Sequence, residues 1–450
     1  MKTKEIQGKM PQVEKTPVTR RLQDRLNYDE LSNCMRCGFC LPACPTYRET
    51  GREASSPRGR IALMKAAVDG HLQNGKQLED QLNQCLGCRA CEPACPAGVK
   101  YGELLEQARD ALEDHARHKV WVRVLRRFFF HFLFPHPKRL RWLGRLLVIY
   151  QKTGLQWLLR KSRLLQLLPS YLREMEAVMP AATSKGVAEQ LGNFIPAQGK
   201  KKGTVGLFRG CVMDVLFTET NINTVTLLSE AGFDVVIPPQ QTCCGALHAH
   251  SGEREMARSL ARRNIQAFKE IEVDYIVSNA GGCGAFLQEY EHLLEDECEA
   301  EEASWFSERV KDISELLLDH GPVGKWGTLE GRITYQVSCH LQNVMQVREQ
   351  PRQLLRQIKG AVYVELFEAD RCCGSAGIYN LTQPEMSARI LDEKMKHVRA
   401  TKADILVTSN PGCLLQMKAG IQRAGLSDHM KAVHVVDLLA EVRQKGESRY

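Results

Sequence analysis

Residues 34–45 read CMRCGFCLPACP and residues 85–96 read CLGCRACEPACP, so one loop of the form C-x2-C-x2-C-x3-C-P is written twice. Three cysteines at steps of three, on a loop that turns back on itself, can aim their sulfurs at three corners of one iron–sulfur cubane. The fourth, after a longer step and stopped by proline, is directed elsewhere. Zinc ribbons also use C-x2-C pairs. A ribbon needs two cysteines per knuckle, whereas here three fall within seven residues and a fourth follows before proline. The doubled spacing therefore points to iron–sulfur clusters, with Cys34, Cys37, Cys40, Cys44, Cys85, Cys88, Cys91 and Cys95 as ligands.

A different cysteine pattern fills the C-terminal half, also twice. One pass is Cys211, the adjacent pair Cys243 and Cys244 followed by Gly245, and Cys283; the other is Cys339, the pair Cys372 and Cys373 followed by Gly374, and Cys413. Matching cysteines are offset by 128, 129 and 130 residues, a constancy that marks a duplicated domain. A vicinal disulfide would be strained and readily reduced in a reducing compartment. Two buried structural thiols would leave the companion cysteines unexplained. Joint ligation of one cluster explains both, with Gly245 and Gly374 letting the backbone pass close and aim N–H groups at its sulfurs.

The elements that must position these residues are legible in outline. Each cysteine of the repeat lies at or just beyond the C-terminal end of an apolar, β-branched stretch: TVGLF precedes Cys211, DVVIP precedes Cys243, DYIVS precedes Cys283, RITYQVS precedes Cys339, AVYVELF precedes Cys372 and ADILVTS precedes Cys413. Helical stretches lie between them, which is the pattern of open α/β sheets that bind ligands at strand ends. The spacer between the two N-terminal loops holds SSPRGRIALMKAAVDG, a helix capped by Ser56 with Pro57 in its first turn and Ile61, Leu63, Met64, Ala67 and Val68 as its apolar face. Its Arg58 and Arg60 are either cluster neighbours or ordinary ion-paired arginines.

With 450 residues and a 43% hydrophobic composition, two to four domains are expected, each with its own core. The N-terminus, MKTKEIQGKMPQVEK, has no apolar signal region, and no run of 18 apolar residues appears, so a cytoplasmic protein is expected whose membrane contact is at most peripheral, on the cytoplasmic face of the inner membrane. Seventeen cysteines in such a compartment mean metal ligation rather than disulfides. Residues 117–163 carry thirteen Lys or Arg and no Asp or Glu, interleaved with Trp121, Phe128, Phe129, Phe130, Phe132, Phe134, Trp142 and Trp157, and are broken by PHP at Pro135–Pro137. Such a segment packs with a solvated basic face, docks an acidic partner or lies on an anionic membrane; no nucleic-acid module matches it. Residues 181–203 read as a linker.

These motifs resemble known families. In two-cluster ferredoxins the fourth cysteine of each loop ligates the other cluster; carried over, one [4Fe-4S] cluster takes Cys34, Cys37, Cys40 and Cys95, and the other Cys85, Cys88, Cys91 and Cys44. The helical spacer resembles the α-helical ferredoxin of succinate-dehydrogenase-type modules. The C…CCG…C repeat is similar to the cysteine-rich domain of heterodisulfide reductase, anaerobic glycerol-3-phosphate dehydrogenase, lactate-utilisation and glycolate oxidase iron–sulfur proteins. SPRGRIALMK, GCGAFLQEY and CCGSAGIYNLTQPE resemble the glycolate oxidase iron–sulfur subunit family most closely.

That resemblance implies an α+β multidomain chain: an α-helical ferredoxin module with two [4Fe-4S] clusters at 1–114, a basic helical segment and linker at 115–203, and two α/β CCG domains at 204–325 and 326–450. It implies an electron-transfer subunit whose FAD-containing partner oxidises glycolate to glyoxylate, with a quinone or similar membrane acceptor. Lactate and glycerol-3-phosphate dehydrogenases share the architecture. No G-x-G-x-x-G follows a strand and no catalytic triad or carboxylate pair is present, so substrate chemistry is expected on the partner.

Heterodisulfide reductase repeats end in a fifth cysteine, where this chain has Phe286 and Gln416, which argues against disulfide reduction. Spacing does not decide whether one, both or neither repeat holds a further iron–sulfur cluster. His248, His250 and His340 are expected to be ordinary polar histidines, and Cys298, in an acidic run, a bystander.

Overall fold

The computed structural model describes residues 16–72, 75–113, 118–321 and 327–447. The charged N-terminus and the domain boundaries expected at 114/115 and 325/326 lie outside the described residues.

The N-terminal module is helical. Helix Pro57–Val68 begins as its sequence prescribes: the Ser56 hydroxyl accepts the Gly59 N–H at 3.0 Å, and Pro57 takes the first helical position, where no N–H is needed. Its Ile61, Met64, Ala67 and Val68 join Leu22, Leu31, Leu78, Leu104 and Ala108 in one apolar core. The two ligand loops hang from this core.

Strands β1 (Phe194–Ile195), β2 (Gly203–Leu207), β3 (Phe233–Val236), β4 (Tyr275–Ser278) and β5 (Val310–Asp312) form a sheet in the order β1-β3-β2-β4-β5, parallel except for β1. Strands β6 (Thr328–Gln336), β7 (Lys359–Tyr363), β8 (Ile405–Thr408) and β9 (Lys431–His434) form a second, wholly parallel sheet in the order β7-β6-β8-β9. Apart from β1 the two orders are the same strand for strand, so the duplication seen in the cysteine spacing is a duplication of topology. In each sheet the chain leaves the central strand toward one edge and returns to build the other. The crevice at that reversal opens between the ends of β2 and β4, and of β6 and β8, where open α/β sheets hold ligands.

Two expectations are corrected. Residues 181–203 are not a bare linker: they contribute the helix Val187–Leu191 and the edge strand β1, which pairs antiparallel with β3. The two sheets also do not keep separate cores. One apolar core runs from Val205, Val235 and Val277 through to Ile333, Leu406 and Leu439, and a second, mostly of the first unit, gathers Phe208, Phe268, Ile276 and Phe306. Helices Thr218–Glu230 and Val435–Glu447 cross-link the units at the edge of the shared core, Thr220 and Asn223 donating to the Asp437 carboxylate at 2.9 and 3.0 Å and Arg443 pairing with Glu230 at 2.9 Å.

The basic segment wraps the first sheet unit. Helix Val120–Arg126 widens into a π-helical stretch, Arg127–Leu133, and after the Pro135–Pro137 break helix Pro137–Lys152 follows. Phe130, Leu133 and Leu140 are buried, and Arg141 pairs with Asp214 at 2.6 Å. Trp121, Trp142 and Trp157 are each more than 60% exposed. Among the described residues no helix is long and apolar enough to cross a membrane.

Candidate metal centres

Both N-terminal loops use the same backbone device. Positive φ occurs at Arg36 and Gly38 in the first loop and at Gly87 and Arg89 in the second, the same two positions around the middle cysteine. Left-handed backbone at a non-glycine is strained, and such strain persists where the surroundings fix the conformation and clusters at functional sites. It turns each loop back on itself, which is what three cysteines sharing one centre require.

The second loop closes on a small cavity of about 20 Å3 lined by Cys44, Cys85, Cys88, Cys91, Arg60 and Tyr101. All four cysteines are buried there. The Cys85 sulfur accepts from the Gly87 N–H at 3.4 Å and from the Tyr101 hydroxyl at 3.5 Å. Burial opposes ionisation of Cys85, but the charges of Arg60 and Arg109 outweigh it and hold this thiol below its usual range. Four convergent thiols, positive charge and N–H donors fit an anionic iron–sulfur cluster. Cys34 and Cys40 of the first loop and Cys95 of the second pack against the same helical core, while Cys37 is exposed.

In each repeat the four cysteines meet as a chain of neighbours. Cys211 reaches Cys243 at 3.5 Å between sulfurs, Cys243 touches Cys244, and Cys244 touches Cys283. The order recurs as Cys339, Cys372, Cys373 and Cys413. Cys283 and Cys413 lie within the first turns of helices Gly281–Gln288 and Pro411–Arg423, not in the loops before them. Sharing with Cys243 and burial push the Cys211 thiol up, and sharing with Cys372 and burial do the same at Cys339. Crowded thiols held toward their neutral form fit metal ligation, because a bound metal ion deprotonates them. Gly245 and Gly374 both have positive φ, +92° and +89°.

The structure separates residues that sequence could not. Arg60 is fully buried: Nη1 lies 4.0 Å from the Cys44 sulfur, Nη2 donates to the Thr46 hydroxyl at 3.0 Å and Nε to the Gln81 carbonyl at 2.8 Å. Arg58 instead pairs with Glu53 at 2.6 Å and donates to the Arg36 carbonyl of the first loop at 2.9 Å. His248 shares its Nε2 with the Phe130 carbonyl at 2.8 Å, and His250 pairs with Glu106 at 2.7 Å. His340 contacts the Gly87 carbonyl through Nε2 at 3.0 Å, and burial together with the His250 charge pushes its pKa down to about 3, so it is neutral and Nε2 is the donor.

Phe286 packs edge-on against Tyr290 within the core, and Gln416 donates to the Ser387 hydroxyl at 3.0 Å, so both fifth-cysteine positions are filled by residues engaged elsewhere. Cys298 is exposed. One residue was missed. Lys394, fully buried, donates to the Glu368 carbonyl; burial, partly offset by the charges of Cys373, Asp370 and Cys372, brings its pKa down to about 8. Its counterpart in the first repeat, read at the 130-residue offset, is Asn264, which donates to the Cys243 carbonyl at 2.9 Å. The offset alone could have flagged it.

A helical module with two four-cysteine loops, joined to two cysteine-rich α/β units, defines an iron–sulfur electron-transfer protein. Residues 30–99 match the family described as 4Fe-4S dicluster domain, residues 205–288 and 333–418 the family described as cysteine-rich domain, and residues 121–179 the linker region of the glycolate oxidase iron-sulfur subunit. The chain is 52% identical over 428 residues to the probable glycolate oxidase iron-sulfur subunit of Bacillus subtilis (strain 168), covering 94% of this chain and 96% of that one. It is 31% identical over 388 residues to the glycolate oxidase iron-sulfur subunit of Escherichia coli (strain K12), covering 85% and 88%. Lactate utilization protein A of Oceanobacillus iheyensis is 35% identical over 244 residues, 54% of this chain and 98% of its own. The chain belongs to the glycolate oxidase iron-sulfur subunit family.

Proposed function

We propose that this chain carries electrons from a flavoprotein subunit that oxidises glycolate to glyoxylate toward a quinone-type acceptor. In this reading Cys34, Cys37, Cys40 and Cys95 hold one [4Fe-4S] cluster and Cys44, Cys85, Cys88 and Cys91 the other. Each CCG unit holds a further iron–sulfur centre, the first on Cys211, Cys243, Cys244 and Cys283 and the second on Cys339, Cys372, Cys373 and Cys413. The bound clusters supply reversible one-electron transfer; the chain's own residues hold them, shield them from water and set their potentials.

The observation that carries the reading is the cavity where Cys44, from the first loop, joins Cys85, Cys88 and Cys91 from the second. That crossing is what a two-cluster module needs. The test is anaerobic purification with the flavoprotein subunits, followed by iron analysis and glycolate addition. More than about eight irons per chain, and cluster bleaching by glycolate but not by lactate or glycerol 3-phosphate, are expected. Bleaching by lactate alone would reassign the substrate, and zinc in place of iron would end the proposal.

A peripheral membrane position for this complex is supported by the exposed Trp121, Phe128, Phe132, Trp142 and Trp157 on a segment rich in Lys and Arg and without acidic residues. Aromatic rings seat at the headgroup level and cations meet anionic lipids. The chain is expected to float with phosphatidylglycerol vesicles at low salt and to be released at high salt. Replacing the three tryptophans with serine should cut binding at least tenfold; unchanged flotation would assign the binding to the Lys and Arg side chains, and a wild-type chain that does not float would point to a protein partner for this face.

A further inference from the structure

The backbone carbonyls at Gln84, Gly87 and Cys88, on the loop that closes the Cys44, Cys85, Cys88 and Cys91 cavity, are held from outside by residues of the second repeat near its cysteines. Asn343 Nδ2 donates to the Cys88 carbonyl at 2.9 Å, His340 Nε2 to the Gly87 carbonyl at 3.0 Å and the Tyr379 hydroxyl to the Gln84 carbonyl at 2.9 Å. His340 and Asn343 lie on the helix Cys339–Asn343, which begins at a repeat cysteine. Leu86 and Cys88 share one apolar cluster with Cys372, Tyr379 and Ile390, against which Cys339 also packs.

The first repeat meets the module differently. Its contacts run through Glu289 to Arg89, His250 to Glu106, and Arg109, which spans the Cys85 and His250 carbonyls at 2.8 and 3.0 Å. Among the described residues, no cysteine of the first repeat belongs to the apolar cluster around Cys88.

The two repeats are joined at their own cysteines by one side chain. Asn410 Oδ1 accepts the N–H of Gly282, the residue before Cys283, at 3.0 Å, and its Nδ2 lies 3.6 Å from the Cys413 sulfur. Farther out, Cys211 packs against a cluster that holds Leu133 and Leu140 of the basic aromatic segment.

We infer that the repeats act in series: electrons leave the ferredoxin module through the second repeat, pass Asn410 and reach the first repeat, which is the terminal centre beneath the aromatic segment. The inference rests on the proposal that both repeats hold clusters. Each transfer is a one-electron step in which the donor centre is oxidised by one electron as the next is reduced by one; no bond is made or broken. The partner's reduced flavin supplies the electrons and a quinone-class acceptor removes them. Asn410 is a positioning residue, holding the two helix starts that carry Cys283 and Cys413 in register.

The test uses the full chain, reduced with dithionite, and reads magnetic coupling and reduction order by low-temperature electron paramagnetic resonance with rapid freezing. Expected is fast relaxation of the ferredoxin signal that Cys339→Ser abolishes and Cys211→Ser preserves. Asn410→Ala, a milder change that should fold, is expected to slow reduction of the first-repeat centre at least tenfold while leaving reduction of the second unchanged. The converse pattern, coupling lost in Cys211→Ser and kept in Cys339→Ser, or wild-type reduction of both repeats in Asn410→Ala, overturns the series order. Iron analysis separates the two readings. More than about eight irons with the converse pattern refutes the order alone, whereas about eight irons in the wild type removes the repeat clusters and the order with them.

Discussion

Replacing Arg60 with methionine is expected to lower the midpoint potential of the centre beside Cys44 and to destabilise the N-terminal module by about 3 kcal/mol. The direction follows from charge. A guanidinium 4.0 Å from a ligand sulfur, with no exposed surface, stabilises the more negative, reduced state, and low-dielectric surroundings strengthen that effect. The stability loss follows from hydrogen bonding. Removing the guanidinium orphans the Gln81 carbonyl, at about 1–3 kcal/mol for an unsatisfied buried acceptor, and leaves the thiolate charge unbalanced. Thr46 survives, because its hydroxyl still donates to the Ser55 carbonyl at 2.7 Å.

Arg58→Met is the control for this centre, since its guanidinium pairs with Glu53 and donates to the Arg36 carbonyl of the first loop. A redox titration followed by electron paramagnetic resonance and a denaturant titration read the two effects. An unchanged potential in Arg60→Met would remove Arg60 from the account of how this centre is tuned.

Arg58 and Arg60 also show where the sequence stops being legible. Two arginines two residues apart on one helix face different surroundings, and nothing local says that Arg60 turns inward over Cys44 while Arg58 meets Glu53. The ligand spacing is local information, because steps of three and four residues fix where sulfurs can point, and the repeat offset is equally plain. The strand ends before the cysteines could be read from β-branched runs. Strands β5 and β9 could not, since VKD and KAVH carry no apolar stretch, and β1 hid in a polar segment that pairs only because β3 presents an open edge. The shared core of the two repeats, and the choice of the second repeat as the neighbour of Cys88, some 250 residues away in sequence, are products of long-range packing that no period in the chain records.

The last expectation concerns the two glycines that follow the paired cysteines, which look equivalent in sequence and are not in space. Gly374→Ala is expected to cost roughly 2–5 kcal/mol and to release iron from the second repeat, whereas Gly245→Ala should cost about 1–2 kcal/mol and leave the first repeat loaded. Both positions are left-handed, so alanine pays that penalty at each. A Cβ at Gly245 would meet Phe286 Cε1 at 3.2 Å and Ala257 Cα at 3.4 Å, contacts that a small ring shift relieves.

At Gly374 the same atom would lie 2.8 Å from the Ser387 carbonyl, a backbone group of helix Pro384–Thr401, and that helix cannot move alone. Its Ser387 hydroxyl donates to the Gly374 carbonyl at 2.9 Å and accepts from Gln416, and its Lys394 reaches the Glu368 carbonyl, so a shift would drag the loop carrying Cys372 and Cys373 away from Cys413. Iron content and urea unfolding of the two variants decide the matter. Equal losses would mean that the helix yields more easily than its hydrogen bonds indicate, and that the glycine after the second pair serves only its φ.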